Sequence, residues 1–330
     1  MIRTLLRTRD GRIRTDVQPD EFDEALRDGR CLLWADFENT PPDMDELILR
    51  DKFGFHALAI EDALKQSHVP KVDDWGEFVY IVLHAVHYDR HNADQHLGTF
   101  ELDVFLGKNY LVTHHEQKID AIEKVWAACQ RDERHLKSGP DHLLYRITDE
   151  VAASYLPVVE EMDDAIDAIE GRIFNRPSPE TIERIFAIKR SVLSLRRILG
   201  PQREVLNKLA RDDYSVIDPK DRVYFSDVYD HLVRMHDITE SVRDLVSGAL
   251  DTYLSVVNNR MNDIMKTLTI ITTLFMPISF VTGFFGMNFF QPVAERLVPW
   301  ADLPVFTIAM GIFILTPIAM FWWIRSRGWM

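Results

Sequence analysis

Cysteine is almost absent from this 330-residue sequence: Cys31 and Cys129 stand far apart, neither in a CxxC pair. That excludes a disulfide framework and a cysteine-based zinc site. Also missing are a glycine-rich phosphate loop, a nucleophile beside a paired base and any metalloenzyme motif, so an enzyme is not expected. Positive charge is in deficit, with 38 Lys and Arg against 52 Asp and Glu and a formal net charge of -14. Acidity of that size argues against nucleic acid and against broad docking on anionic lipid, and it permits a cationic ligand. The opening "MIRTLLRTRDGRIRT" has no continuous apolar stretch, because arginines interrupt it, and predicts a cytosolic N-terminus without a signal peptide. Internal repeats and low-complexity tracts are lacking as well. A mean hydropathy of -0.14 describes a chain that is water-soluble over most of its length.

Long apolar runs are lacking too, until Thr267. From there "TLTIITTLFMPISFVTGFFG" and, further on, "VFTIAMGIFILTPIAMFWWI" run without a charge, each matching the roughly 20 residues that cross a bilayer core. They predict a first transmembrane helix at 267–287, an external loop at 288–304, a second transmembrane helix at 305–324 and a basic tail at 325–330. The loop holds one basic residue, Arg296, whereas the outer flanks hold Arg260, Lys266, Arg325 and Arg327. This bias places both termini in the cytosol of a plasma-membrane (inner-membrane) protein that crosses twice. Trp300, Trp322 and Trp323 stand at the two interfaces.

Upstream, 221–266 contains no proline and one glycine, Gly248, and reads as a stalk helix continuous with the first span. Some 65 residues of helix make a rod of about 100 Å. Val228, Leu232, Met235, Thr239, Val242, Val246, Ala249, Tyr253 and Val256 form a seam in steps of four and three. It suits packing against the chain's own helices or against copies of itself. Beyond it a small, polar or flexible stripe takes over: Asn262, Met265, Thr269, Thr272, Met276, Ser279 and Gly283. Close helix packing in a membrane explains such a stripe, and so does the lining of a water-filled pore, which two helices alone cannot enclose. Pro277 should free a backbone carbonyl near Thr273.

Residues 1–118 alternate like strands in "CLLWADF", "EFVYIVLHAVHYD", "TFELDVFL" and "NYLVTHHE", the last two joined by the hairpin signal Gly107-Lys108-Asn109. Helical stretches interrupt them, so a mixed α/β cytosolic domain is expected. A helical cytosolic segment, 119–220, follows, with breaks at Ser138-Gly139-Pro140, Pro177-Ser178-Pro179 and Gly200-Pro201. His84, His87, His91 and His96 invite a zinc reading, but alternation turns His84 and His87 to opposite faces, and these histidines are expected to face solvent. The acidic run "EEMDDAIDAIE", 160–170, is either a cation-concentrating patch or a solvated helix face.

The stretch "YLSVVNNRMNDIMKTLTIITTLFMPISFVTGFFGMNF", 253–289, resembles the signature region of the CorA family of divalent-cation channels in its Gly-Met-Asn form. The resemblance extends to "HALAIEDALKQSHVPKVDDWGEFVYIVLHAV", "GKNYLVTHHE" and "YFSDVYDHL" in the family's order. It implies a homopentamer whose first transmembrane helices line the pore. Gly286, Met287 and Asn288 then form the selectivity filter. Asn262, Met265, Leu268, Met276, Ser279 and Gly283 line the pore, Leu268 by family correspondence. A regulatory metal site is implied at Asp62 and Asp227, with Glu61 beside it. Neutral carboxamide oxygens can grip hydrated magnesium, which sheds its water reluctantly, without trapping it. One departure stands out: the family's Met-Pro-Glu-Leu loop is replaced by "FFQPVAERLVPW", where Glu295 is the only carboxylate.

The function expected is passive, potential-driven uptake of Mg2+, with Co2+ or Ni2+ tolerated, closed by intracellular cation. The partners are copies of the chain, divalent cations and membrane lipid. Two alternatives remain: a proton-coupled Zn2+ transporter of the same superfamily, disfavoured by Met287, and a membrane-anchored sensor or scaffold that moves no ions.

Overall fold

The computed structural model describes residues 1–65, 69–87, 97–175, 177–286 and 303–327. Two compact units are present, Met1–Asp251 and Thr252–Met330.

Seven strands make the sheet of the first unit: β1 (Ile2–Arg7), β2 (Ile13–Thr15), β3 (Leu32–Glu38), β4 (Lys71–Asp74), β5 (Val79–His87), β6 (Gly98–Leu106) and β7 (Tyr110–His115). Their order is β2-β1-β3-β7-β6-β5-β4. Only β3 and β7 run parallel, with Asp36 opposite Thr113 and Glu38 opposite His115. Central strands read as near-continuous apolar runs because helices cover both faces of the sheet. On one face lie α1 (Phe22–Arg27), α2 (Pro42–Asp51) and α3 (Ala57–Lys65), closing a core that includes Phe22, Phe37, Leu49, Phe55, Tyr80 and Phe105. The opposite face receives α4 (Asp120–Arg131), α6 (Pro140–Ala153), α7 (Tyr155–Asn175) and α8 (Pro179–Arg211), with the short α5 (Arg134–Lys137) between α4 and α6. The β6–β7 hairpin turns at Gly107, whose N–H donates to the Tyr110 carbonyl. A Cβ there would lie 2.1 Å from the Tyr110 ring, so only glycine fits.

Two expectations need correction. The break at Gly200-Pro201 does not occur, since α8 runs through it with Pro201 inside. Proline removes one helical hydrogen bond, but Ile198, Leu199, Gln202 and Val205 around it are all buried, and that packing holds the helix. Nor does His84 face solvent. It is 3% exposed, and its Nε2 lies 3.8 Å from Glu101. Strand β4 pairs β5 only from Val79 to Val82. Beyond it the backbone of His84 is satisfied by side chains, its N–H donating to Gln202 Oε1 at 2.8 Å and its carbonyl accepting from Tyr155 Oη. Helices therefore cover this part of β5, and alternation does not bring His84 to water. His87 is exposed; His91 and His96 lie outside the described residues.

The long helix α9 runs unbroken from Arg222 to Gly286, with Pro277 inside it. In the first unit its seam is buried: Val228, Leu232 and Ala249 are 0% exposed, and Val242, Val246 and Thr239 are 1% exposed. Thr239 satisfies its hydroxyl by donating to the Met235 carbonyl at 2.7 Å. Arg196 of α8 pairs with Glu240 at 2.7 Å, and the Tyr145 ring of α6 lies tilted against Tyr224 with centroids 4.9 Å apart. Of the two packing modes the seam allowed, the chain's own helices cover it. The last helix, α10 (Leu303–Ser326), is apolar up to Arg325.

Candidate ion path and regulatory carboxylates

At 100° per residue, Asn262, Met265, Leu268, Met276, Ser279 and Gly283 fall within one arc of α9 about 120° wide. All six are exposed. Thr269 and Thr272 lie in the same arc, and their hydroxyls donate to the carbonyls of Met265 and Leu268 at 2.7 and 2.9 Å. Each hydroxyl thus spends its proton on its own helix and keeps its oxygen lone pairs for the arc. Leu268 is at the edge of the arc, near the angular position of Ser279. Large apolar side chains, Ile264, Ile271, Phe275 and Phe284, take the remaining faces, while Phe280 shares the arc's edge with Asn262; all five are exposed. Gly286 is the last residue of α9. Met287 and Asn288 lie outside the described residues, as do Glu295, Arg296 and Trp300.

The implied regulatory residues stand on different elements. Asp62 and Glu61 belong to α3, where Glu61 pairs with Lys65 and Asp62 with Lys71. Lys71 also meets Asp73 at 2.9 Å. Burial alone would lower the Lys71 ammonium, but these two carboxylates outweigh it and raise its pKa. Asp227 is exposed on α9. Near it is Asp149, whose carboxyl is raised by partial burial; His231 lowers it, and Glu150 and Asp227 raise it further. Asp62 and Asp227 are both solvent-accessible, hard oxygen donors suited to a dication. Within the described residues of one chain no contact joins them, and no group of three or more His, Cys, Asp or Glu side chains is arranged to hold a metal ion.

Two buried polar clusters escaped the sequence reading. Asp36, fully buried, accepts from Arg3 Nε at 2.7 Å, from Thr113 and from His115 Nε2 at 3.1 Å. Burial would raise its carboxyl, yet the His115 hydrogen bond and the charges of His115 and Arg3 hold it below the usual range. In the second cluster the His114 ring lies between two buried carboxylates, Nε2 3.4 Å from Asp45 and Nδ1 3.7 Å from Asp103. Tyr80 Oη donates to Asp103 at 2.6 Å and Thr40 to Asp45 at 2.6 Å. Burial opposes the imidazolium, but the facing carboxylates push His114 up to about 9. Burial also raises Asp103, to about 6, against its bonds with His114 and Tyr80. The two carboxylates address opposite ring nitrogens and do not converge, which suits a trapped imidazolium rather than a metal. Only the doubled histidine of "VTHHE" marked this place in the sequence.

Residues 30–326 match the family described as "CorA-like Mg2+ transporter protein". The cobalt/magnesium transport protein CorA of Thermotoga maritima is 36% identical over 279 residues, covering 84% of this chain and 78% of that protein. Its counterpart from Methanocaldococcus jannaschii is 26% identical over 332 residues, covering both chains fully. The complete structure of the latter, a CorA magnesium transporter, superposes with a TM-score of 0.78 at 25% identity, over 91% of this chain and 92% of that one. The family match spans most of the chain, the named relatives are transporters, and the Methanocaldococcus jannaschii structure shares the fold described above, an α/β unit with one long helix: this chain belongs to the CorA family.

Proposed function

We propose that the chain is one subunit of a homopentameric channel in the plasma membrane, with both termini cytosolic. The channel passes Mg2+ down the membrane potential and tolerates Co2+ or Ni2+. The observation that carries this reading is the exposed α9 arc, mostly polar or flexible side chains on one line with no described residue of the same chain burying them, in a helix whose last described residue, Gly286, opens Gly-Met-Asn in the sequence. Copies of the arc arranged around an axis supply the conduit that one chain lacks. Met265 and Leu268 form an apolar constriction that gates by dewetting. A ring of Asn288 carboxamides takes the hydrated ion first.

The ion is cargo, and the potential drives it, worth about 4.6 kcal/mol for a dication per 100 mV. Purified protein in sealed vesicles is expected to take up Mg2+ when the interior is negative and to stop when potential and gradient are collapsed. Asn288→Ala should lower uptake to the level of protein-free vesicles. Uptake that follows an imposed proton gradient at zero potential would favour the zinc symporter, and no uptake of any dication would leave a membrane-anchored sensor. Cysteines placed along α9 should react with soluble thiol reagents at Asn262, Met265, Leu268, Met276, Ser279 and Gly283. Equal labelling around the helix would overturn the lining.

Closure is assigned to Asp62 of one subunit and Asp227 of the next, with Glu61 beside them. Facing carboxylates repel until a dication lies between them, so a full cytosolic store of the ion tightens the subunit contact and shuts the pore. Millimolar Mg2+ should protect α9 from limited proteolysis. Unchanged protection in the Asp62→Ala, Asp227→Ala double variant would remove this pair from the sensor.

A further inference from the structure

Both α3 carboxylates of the proposed closure site carry an ammonium of their own chain, but the two ammonium groups are held differently. Glu61 pairs with Lys65 one turn along the helix, and that lysine side chain is 72% exposed and meets no second carboxylate among the described residues. Asp62 pairs with Lys71 of β4, whose side chain is 32% exposed and also meets Asp73 at 2.9 Å. The Lys71 ammonium stands 5.2 Å over the Tyr80 ring as well.

The local fold builds this arrangement. Residues two apart on a strand share a face, so Lys71 and Asp73 project together from β4, and Asp73 lies opposite Tyr80 in the β4–β5 register. Tyr80 is fully buried, and its Oη donates to the buried Asp103 at 2.6 Å, which fixes the ring beneath Lys71. Asp62 comes from a separate element, α3. Two carboxylates and a ring face are what a small cation seeks; here the cation is the chain's own.

We propose that Lys71 sets the ion specificity of the closure site: its tethered ammonium occupies the position between Asp62 and Asp73 that a monovalent cation would take, so only a dication displaces it. Exchange for K+ changes no charge at the carboxylates, strips Lys71 of its partners and runs against an intramolecular competitor, whose effective concentration is set by its short tether. A dication behaves differently. It doubles the attraction to each carboxylate and repels the ammonium, which withdraws into water on its flexible stem without moving β4. Lys65 cannot play this part, because it bridges no pair of carboxylates. The site thus reads Mg2+ in the presence of a large excess of K+. The inference rests on the closure role given above to Asp62.

The test uses the full-length protein and the protection of α9 from limited proteolysis. Mg2+ is titrated in about 0.15 M KCl and, separately, in N-methylglucamine chloride of the same ionic strength, so that screening is equal. The parent is expected to give one Mg2+ midpoint in both salts. Lys71→Gln should give a lower midpoint than the parent in N-methylglucamine, and K+ should raise it about twofold, as for a competitor present near its own Kd. Lys71→Met, also neutral, should behave the same way, and Lys71→Arg should restore the indifference to K+ by restoring the charge. Neutral variants whose midpoints agree in the two salts overturn the role of Lys71, as does a parent that K+ already shifts; both outcomes leave the closure site standing. Absence of Mg2+ protection in the parent defeats the closure site and this inference together.

Discussion

Between Arg222 and Tyr253 the long helix buries one side chain every three or four residues, Val228, Leu232, Met235, Thr239, Val242, Val246 and Ala249 among them. Between Asn258 and Phe284 none of its described side chains is buried. The backbone is the same α-helix throughout. What changes is the width of the apolar surface. The first part carries a narrow seam with charge elsewhere, and the chain's own α6 and α8 meet it. The second part is apolar on most sides with one mixed arc, and none of the described elements buries it. A narrow stripe can be buried by the chain itself; a helix apolar all round requires lipid and other copies.

The strongest way to break this contrast is to make the same substitution in both parts. Leu232→Ala empties a fully buried site and should destabilise the soluble unit by about 2–5 kcal/mol, read by urea unfolding followed through tryptophan fluorescence. A cost below about 1 kcal/mol would mean that the seam is not packed as described.

Alkaline titration comes next, because the first unit also traps polar groups that the second does not. The folded value of His114, about 9, lies above its ordinary 6.5. Stability from the flanking carboxylates is therefore complete below 6.5 and is lost as pH rises through about 9. Thermal midpoints measured from pH 7 to 10 should fall, and His114→Gln should flatten the slope. Asp103 works at the other end: its raised value makes its burial cost stability above about 6, a cost absent below its ordinary 3.8. An unchanged slope in the variant would clear His114 of the alkaline loss.

Smaller effects sharpen the comparison at its edges. Lys71→Ala removes the cation from half-exposed Asp62 and should cost at most about 1 kcal/mol of stability. It should also lower the magnesium concentration that protects α9 from protease, since the ion no longer competes with an ammonium. A rise in that concentration would exclude Asp62 as a ligand. Leu268→Ala is the smallest in stability, within about 0.5 kcal/mol, because the residue is 62% exposed. On the proposed lining its effect should appear in flux, as leak.

Much of the fold was legible. Strands β3, β5, β6 and β7 alternate or run apolar within "CLLWADF", "EFVYIVLHAVHYD", "TFELDVFL" and "NYLVTHHE", and α2 and α3 fill the helical stretches between them. β1 was not legible, because arginines every few residues interrupt its short apolar patch. Arg3 is in fact half of an internal pair, bonded to Asp36 and Glu123 and lying 4.4 Å over the Trp126 ring, so a charge that looks solvent-bound in sequence is satisfied in the interior. β4 is too short to show a period. Of the candidate site, the arc of α9 was readable from spacing except for Leu268, which the family resemblance supplied, whereas Asp149 beside Asp227 was not, since the two belong to different helices.

By itself the sequence determined the local and the periodic: two uncharged runs near the C-terminus, one long helix whose stripe changes character after Tyr253, and a Gly-Met-Asn triplet that follows the first uncharged run. These follow from hydropathy and from a 3.6-residue turn, which every chain of this composition obeys. Tertiary structure decided where polar groups are allowed to be. It put His84 inside by laying Gln202 and Tyr155 along the open edge of β5, carried α8 through Pro201 because its flanks are buried, and set His114 between Asp45 and Asp103 from three separate elements. The physical reason is that the burial of a charge depends on partners brought from distant positions, and periodicity along a chain holds no record of them.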